Sequence, residues 1–294
     1  MNHDAQDQLN WLSQALSQDV FTQRSPARSK SYPPDEEAMP QGVSPESTVF
    51  STQASPAPIE IRPDPARERR KGVPEVVFAE TKTTPQVIAM AHSLLESTGR
   101  AIISRVRAET LVALRQEFQA YSLRVREASR ALVIYQQKYT PPSTGGRVGV
   151  LSAGTSDVPV AEEAALIAEE MGCQVVCIYD VGVAGLHRLL EPLRELLAAD
   201  VDVLIVAAGM DGALPSVVAG LVPVPVIGLP TSVGYGLGGN GVAALLSMLQ
   251  TCAPGLSVVN IDNGVGAGTT AALIANRVAL AAERSSHKGK SETF

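Results

Sequence analysis

Residues 148–171 read Val-Gly-Val-Leu-Ser-Ala-Gly-Thr-Ser-Asp-Val-Pro-Val-Ala-Glu-Glu-Ala-Ala-Leu-Ile-Ala-Glu-Glu-Met. An apolar run at 148–151 is followed by small and hydroxyl residues, and then by a helical pattern over 160–171. The alternation repeats. Apolar runs recur at 175–179, 203–206, 226–228 and 257–261, separated by helical patterns at 186–199, 213–221, 242–249 and 270–282. Short continuous apolar strands alternating with helices build right-handed βαβ units. The expected fold is therefore α/β, a doubly wound parallel sheet over residues 147–284.

Upstream the pattern is less regular. Residues 74–78 (PEVVF), 101–106 and 131–135 read as strands, and 109–118 as a helix. Thr84 followed by Pro85 reads as an N-cap with proline at the first helical position, and Gly99 as the end of that helix. These pieces predict a small α/β domain over 67–139. The segment 140–146, Thr-Pro-Pro-Ser-Thr-Gly-Gly, reads as a linker. From 22 to 62 the chain turns to Pro, Ser, Gln and Glu without periodicity. Such composition cannot offset its ordering entropy, so 1–66 is expected to be mostly disordered. Leu9, Leu12 and Leu16 there share a helical stripe, with Trp11 off it. Residues 285–294 are expected to form a flexible tail.

Composition narrows the function classes. Hydrophobic residues are 45% and aromatics 4% of the 294 residues, which suits a tightly wound parallel sheet better than a β-sandwich. A formal net charge of −6 argues against nucleic-acid binding through a basic surface. The first residues carry Asp4 and Asp7 and no signal-peptide core, and no uninterrupted apolar run would span a bilayer. Cys173, Cys177 and Cys252 form neither an even-numbered framework nor a zinc spacing. A cytoplasmic location without membrane or nucleic-acid partners is the expectation.

In doubly wound sheets ligands sit beyond the carboxyl ends of the strands. The first such turn holds Ser152, Gly154, Thr155, Ser156 and Asp157. Backbone amides there could hold a phosphate and Asp157 a ribose, although Ser156 or Asp157 could also merely cap the helix. Later turns carry Gly209, Met210, Asp211 and Gly212, then Ser232, Gly234, Tyr235 and Gly236, and finally Asp262 and Asn263. Four polar, glycine-rich turns on one edge exceed what connection needs. They predict a composite cleft for a phosphorylated, nucleotide-like substrate. No P-loop or dinucleotide fingerprint is complete. His187 beside Arg188 could face that cleft or form a solvated pair. Cys173 and Cys177 read as packed core. Cys252 follows a helix, whose C-terminus disfavours a thiolate, so physics alone does not select it as a nucleophile.

Segments 152–159, 208–220 and 223–236 resemble the PurE family, which moves a carboxyl group on aminoimidazole ribonucleotide. Residues 69–278 resemble the LarB family more closely. That likeness rests on Gly72-Val-Pro-Glu-Val-Val77 with Lys82-Thr83, on 153–164, and on Tyr179-Asp-Val-Gly-Val-Ala-Gly-Leu-His-Arg188. It continues through Gly212-Ala-Leu-Pro-Ser216, Pro230-Thr-Ser-Val-Gly-Tyr-Gly236 and Val259-Asn-Ile-Asp-Asn-Gly264. The resemblance implies synthesis of pyridinium-3,5-biscarboxylic acid mononucleotide, a precursor of the nickel-pincer cofactor. The substrates would be nicotinic acid adenine dinucleotide and CO2 or bicarbonate, and the second product AMP. It implies Cys252 as nucleophile, since the family's cysteine stands just before the Val-Val-Asn-Ile-Asp-Asn strand. Asp211 would assist, where the family usually carries glutamate. The resemblance also implies substrate contacts from Lys82 and Arg105, and a homo-oligomer, an octamer. No tightly bound cofactor is implied; Mg2+ could accompany the substrate phosphates, and whether the protein itself holds a metal stays open.

Two other readings compete. One is a PurE-like carboxylase or mutase. It is disfavoured because Asp180-Val-Gly-Val-Ala stands where that family has Ser-Ala-His-Arg. The other is a non-catalytic nucleotide-binding protein.

Overall fold

The computed structural model describes residues 61–291, with side chains through residue 285. The expected disorder over most of 1–66 and the leucine stripe at 9–16 lie outside the described residues, save for 61–66. A short helix, α1 (Arg67–Lys71), leads into strand β1 (Val76–Phe78) and helix α2 (Thr84–Thr98). Then come β2 (Arg100–Ser104), α3 (Ala108–Glu117), β3 (Ser122–Arg126) and β4 (Ala131–Tyr135). The strands form a mixed sheet in the order β1-β2-β4-β3.

The helix start at Thr84-Pro85 shifts by one residue. Thr83, not Thr84, is the N-cap: it has extended backbone and accepts from the Gln86 amide, while the Gln86 side chain accepts from the Thr83 amide. This reciprocal capping box satisfies two otherwise orphaned donors, and Pro85 still falls in the first turn. Thr84 instead meets Thr110 of α3, hydroxyl to hydroxyl at 2.8 Å. Gly99 closes the helix at φ 80°.

The second sheet is wholly parallel, in the order β6-β5-β7-β8-β9. Its strands are β5 (Arg147–Ser152), β6 (Gln174–Ile178), β7 (Val203–Ala208), β8 (Val226–Pro230) and β9 (Leu256–Val258). The connecting helices are α4 (Val158–Glu170), α5 (His187–Ala198), α6 (Leu214–Ala219) and α7 (Val242–Leu249), and α8 (Gly264–Ser291) follows β9. The backbone from 285 to 291 is thus helical where a flexible tail was expected. A helix already nucleated on a packed face extends at little cost per residue.

Side-chain alternation along β7 shows how the layers stack. Val203, Ile205 and Ala207 enter the cluster formed with α4 and α8, and Leu204, Val206 and Ala208 the one formed with α5, α6 and α7. The cluster under α4 and α8 continues to Ile102, Ala131 and Val133 of the first sheet. The opposite face of that sheet, with Ile103, Leu132 and Ile134, packs on α2 and α3. Five layers result: helices, mixed sheet, helices, parallel sheet, helices.

Small residues let the central helices approach closely. Ala161, Ala164, Ala165 and Ala168 of α4 are buried with Ala267, Ala271, Ala272 and Ala275 of α8. A Cβ on Gly268 would stand 2.3 Å from the Ala164 carbonyl oxygen. By length and apolarity Gly264–Ser285 could cross a membrane. Here its alanine face is core, packed against α4.

Candidate active site at the strand ends

The parallel sheet reverses its strand order at β5, which has β6 on one side and β7 on the other. Such a switch point opens a crevice at the carboxyl edge. A cleft of about 570 Å³ lies there, lined from the turns after β5, β6, β7 and β8. Gly154, Thr155, Ser156 and Asp157 contribute from the first turn and Gly209, Met210 and Asp211 from the third. Gly234 and Tyr235 close it from the fourth. The structure thus brings together nine residues singled out from sequence.

Asp157 organises the floor. It is 4% exposed, accepts from the Thr231 hydroxyl at 2.6 Å and from the Gly154 amide at 2.9 Å, and so ties two turns together. Burial pushes its carboxyl above the ordinary value, partly offset by those donors and by the Gly209 amide, with the nearby Asp262 charge acting in the same sense as burial. Ser152 is fully buried beneath the cleft; its hydroxyl donates to the Gly154 carbonyl and accepts from the Asp180 amide. Both residues are therefore framework: Asp157 lines the cleft, and Ser152 lies beneath it without lining it.

Glycine is required where turns touch. A Cβ on Gly209 would lie 2.2 Å from the Val233 carbonyl oxygen and 2.7 Å from the Thr231 hydroxyl. Gly212, at φ 61°, packs on the Ala244 backbone and does not face the cleft. Neither Gly236 nor Asn263 lines it; the Asn263 side chain accepts from the Gly266 amide at 2.8 Å, in the first turn of α8. His187 begins α5 outside the cleft, and Arg188 reaches back to Asp180 at 3.4 Å.

A second cleft, of about 450 Å³, adjoins the first and shares Ser156 and Val233 with it. It opens between the two sheets. Arg105, Ser232 and Asp262, all singled out from sequence, line it, and so do Glu80, Ser129 and Arg130, which sequence reasoning passed over. Arg105 bridges the domains. It meets Glu80 at 3.3 Å and Glu163 at 3.5 Å and donates to the Asp262 carbonyl. Lys82 stands apart, in a separate hollow with Thr81, Gln86 and Met90.

Backbone strain gathers around these clefts. Seven non-glycine residues among those described have positive φ, and five of them line one cleft or the other: Arg105, Arg130, Asp180, Met210 and Asp262. Such conformations cost energy and cluster where a site over-determines them.

Cys252 is exposed, in the turn between α7 and β9. That turn enters a parallel strand rather than leaving one. It lies at the amino edge, a strand length of roughly 16 Å from the clefts at about 3.3 Å per residue. One chain therefore does not bring Cys252 to the cleft residues. Cys173 is buried, its thiol pushed up to about 11 by burial, and burial likewise raises Cys177. Among the described residues no group of three His, Cys, Asp or Glu side chains is placed to hold a metal.

Comparison with known proteins matches both halves. The LarB/PurE-like N-terminal domain family matches residues 60–137, and the AIR carboxylase family residues 147–292. An uncharacterized protein of Methanocaldococcus jannaschii is 43% identical over 220 residues, covering 73% of this chain and 84% of that protein. The N5-carboxyaminoimidazole ribonucleotide mutase of Thermotoga maritima is 33% identical over 135 residues, 44% of this chain and 74% of the mutase. The corresponding mutase of Mycobacterium tuberculosis is 35% identical over 147 residues, 49% of this chain and 79% of its own length. With a LarB-type N-terminal domain joined to a carboxylase-like domain of the PurE fold, the chain belongs to the LarB family.

Proposed function

We propose that the protein carboxylates the pyridinium ring of nicotinic acid adenine dinucleotide and hydrolyses its phosphoanhydride. The products are pyridinium-3,5-biscarboxylic acid mononucleotide and AMP. The observation that carries this reading is the switch-point cleft, floored by Asp157 and bordered by glycine-rich turns, in a chain that joins a LarB-type N-terminal domain to an AIR carboxylase-like domain.

The pyridinium ring is too electron-poor to attack CO2. Addition of the Cys252 thiolate forms a C–S bond and neutralises the ring as an enamine-like dihydropyridine. Its carbon five then attacks CO2, forming the C–C bond. Loss of the proton from that carbon and expulsion of the thiolate restore aromaticity, so the cysteine is regenerated. Water cleaves the anhydride in a separate step. Asp211, exposed at the cleft, acts electrostatically or as proton acceptor. Magnesium, where used, arrives on the substrate phosphates.

Because Cys252 stands at the opposite edge of its own sheet, the reading requires a neighbouring copy to supply the thiolate. The surface of α7 supports this. Val242, Leu246 and Leu249 are 49%, 58% and 62% exposed, spaced along one helical face, with Tyr235 and Leu237 exposed just ahead. The helix runs from the cleft edge to the Cys252 turn. Antiparallel pairing of α7 about a two-fold axis would carry one copy's Cys252 towards the other's Tyr235.

The mutase relatives favour one alternative, a PurE-like carboxylase or mutase acting on aminoimidazole ribonucleotide. Purified protein incubated with nicotinic acid adenine dinucleotide, magnesium and 13C-bicarbonate decides between them. Label in a dicarboxylated pyridinium mononucleotide, with equimolar AMP, supports the proposal. Absence of both from folded protein rejects it, and turnover of aminoimidazole ribonucleotide would then favour the alternative.

A further inference from the structure

A hydroxyl buried without a partner costs about 1–3 kcal/mol. Ser129 carries one: the residue is 5% exposed, and its Oγ has no hydrogen-bond partner among the described residues. It lines the cleft between the sheets, in the turn joining β3 to β4. Beside it stand the guanidinium groups of Arg105 and Arg130, both on left-handed backbone at φ 53° and 51°.

Glu80 spans the two arginines at 3.3 Å from each, and its side chain is 41% exposed. Charge-assisted pairs close to about 2.7–2.9 Å. The same chain draws Arg126 to 2.6 Å from Glu169 and Arg100 to 2.6 Å from Glu68. Glu80 is thus a loose occupant of a two-guanidinium fork, and a phosphate brings more charge and more acceptor oxygens to that place. The other carboxylates of the cleft are already engaged. Glu163 accepts from Ser104 and Arg105, and Asp262 from the Ser232 amide at 2.8 Å.

We infer that this cleft is a nucleoside monophosphate subsite: it seats the adenylate half of the dinucleotide, phosphate between Arg105 and Arg130 in place of Glu80. The naming of that half rests on the reaction proposed above. At about 450 Å³ the cleft falls in the range of nucleotide-sized pockets. Pro159, Val160 and Val233 give it an apolar wall for a base, while Ser129 and Ser232 offer hydroxyls to a ribose. Its junction with the switch-point cleft runs over Ser156, just ahead of α4. An anhydride linking the two halves would cross there, where unpaired helix amides favour anions. Arg105, Ser129 and Arg130 all lie within the LarB-type N-terminal match and outside the AIR carboxylase match. The added domain thereby extends a mononucleotide cleft into a dinucleotide one.

Calorimetric titration of the full-length protein with AMP tests this, using wild type, Arg130→Gln and Glu80→Gln. Arg130 is 55% exposed at its side chain, so its replacement leaves the core untouched. The expected result has opposite signs: Arg130→Gln weakens AMP binding about tenfold, and Glu80→Gln tightens it about threefold by removing the competing carboxylate. No AMP binding to wild type, or affinities indifferent to both substitutions, overturns the inference. The titration needs no turnover. An AMP site with these responses but no carboxylation would sink the reaction and leave the subsite; carboxylation with indifferent affinities would do the reverse.

Discussion

The Arg100 guanidinium donates to the Glu170 carboxylate across 2.9 Å, and with side chains 2% and 1% exposed neither group meets solvent. Arg100 belongs to the mixed sheet and Glu170 to α4 beneath the parallel sheet. Tyr135 also donates to Glu170, and Arg124 and Arg126 reach Glu169 and Glu162 on the same helix. The two halves are thus joined through a polar layer on α4 as well as through apolar core. This fixes Arg105 and Arg130 over the strand-end turns.

Removing one partner of a buried pair strands the other. Arg100→Ala should destabilise the protein by about 3–5 kcal/mol, whereas Arg100→Met with Glu170→Leu should recover much of the loss. Urea unfolding of the three proteins measures this. A loss under about 1 kcal/mol for the single variant would show that the pair does not join the halves.

The buried strands were legible because a strand covered on both faces reads as an apolar run, as 203–206 does. Strand β3 was not. In Ser122–Arg126 the arginines alternate with Leu123 and Val125, and the pattern makes sense only once the glutamates of α4 are opposite. The switch-point cleft was legible for a similar reason, since its turns concentrate glycine and hydroxyl residues at strand ends. Ser129, Arg130 and Glu80 carry no such mark; they matter through being folded over another domain's turns. Cys252 sits near those turns in sequence but precedes its strand instead of following it, which alone puts it at the other edge.

Asp157 sets a pH dependence whose sign follows from its raised carboxyl value. The folded protein holds this proton more tightly than the unfolded chain. Stability from it is present below the ordinary value of 3.8 and is lost as pH rises through the folded value. Asp157→Asn cannot titrate. Its melting temperature relative to wild type should therefore climb as pH is raised from below 3.8 through the lower carboxylate range. Thermal melts at matched pH values test this, and a flat or falling difference would contradict it.

The three thiols should react in an order set by exposure. Cys252 is open to solvent, whereas Cys173 is buried with its thiol near 11. Brief iodoacetamide treatment of native protein near pH 8 should modify Cys252 and spare Cys173 and Cys177, all three reacting after denaturation. Peptide mapping reads the order. Prior labelling of Cys173 in folded protein would place it at the surface and refute the packing described.

The separation of Cys252 from the cleft makes the sharpest test of the proposed reaction. Cys252→Ser removes the nucleophile and leaves the cleft; Thr155→Trp fills the cleft from an exposed position and leaves the nucleophile. Each homomer should be inactive in the labelled-carboxylation assay. Co-expressed with different tags and purified as mixed assemblies, the two should regain activity, because a Cys252→Ser chain offers an open cleft to the thiol of a Thr155→Trp neighbour. In a purified pair holding one copy of each variant, about half of the sites are intact. Activity in the mixture at that level would mean that catalysis crosses between copies. If each variant alone is dead and the mixture stays dead, the thiol must reach the cleft of its own chain, which the strand order opposes unless the turn at Cys252 rearranges on binding.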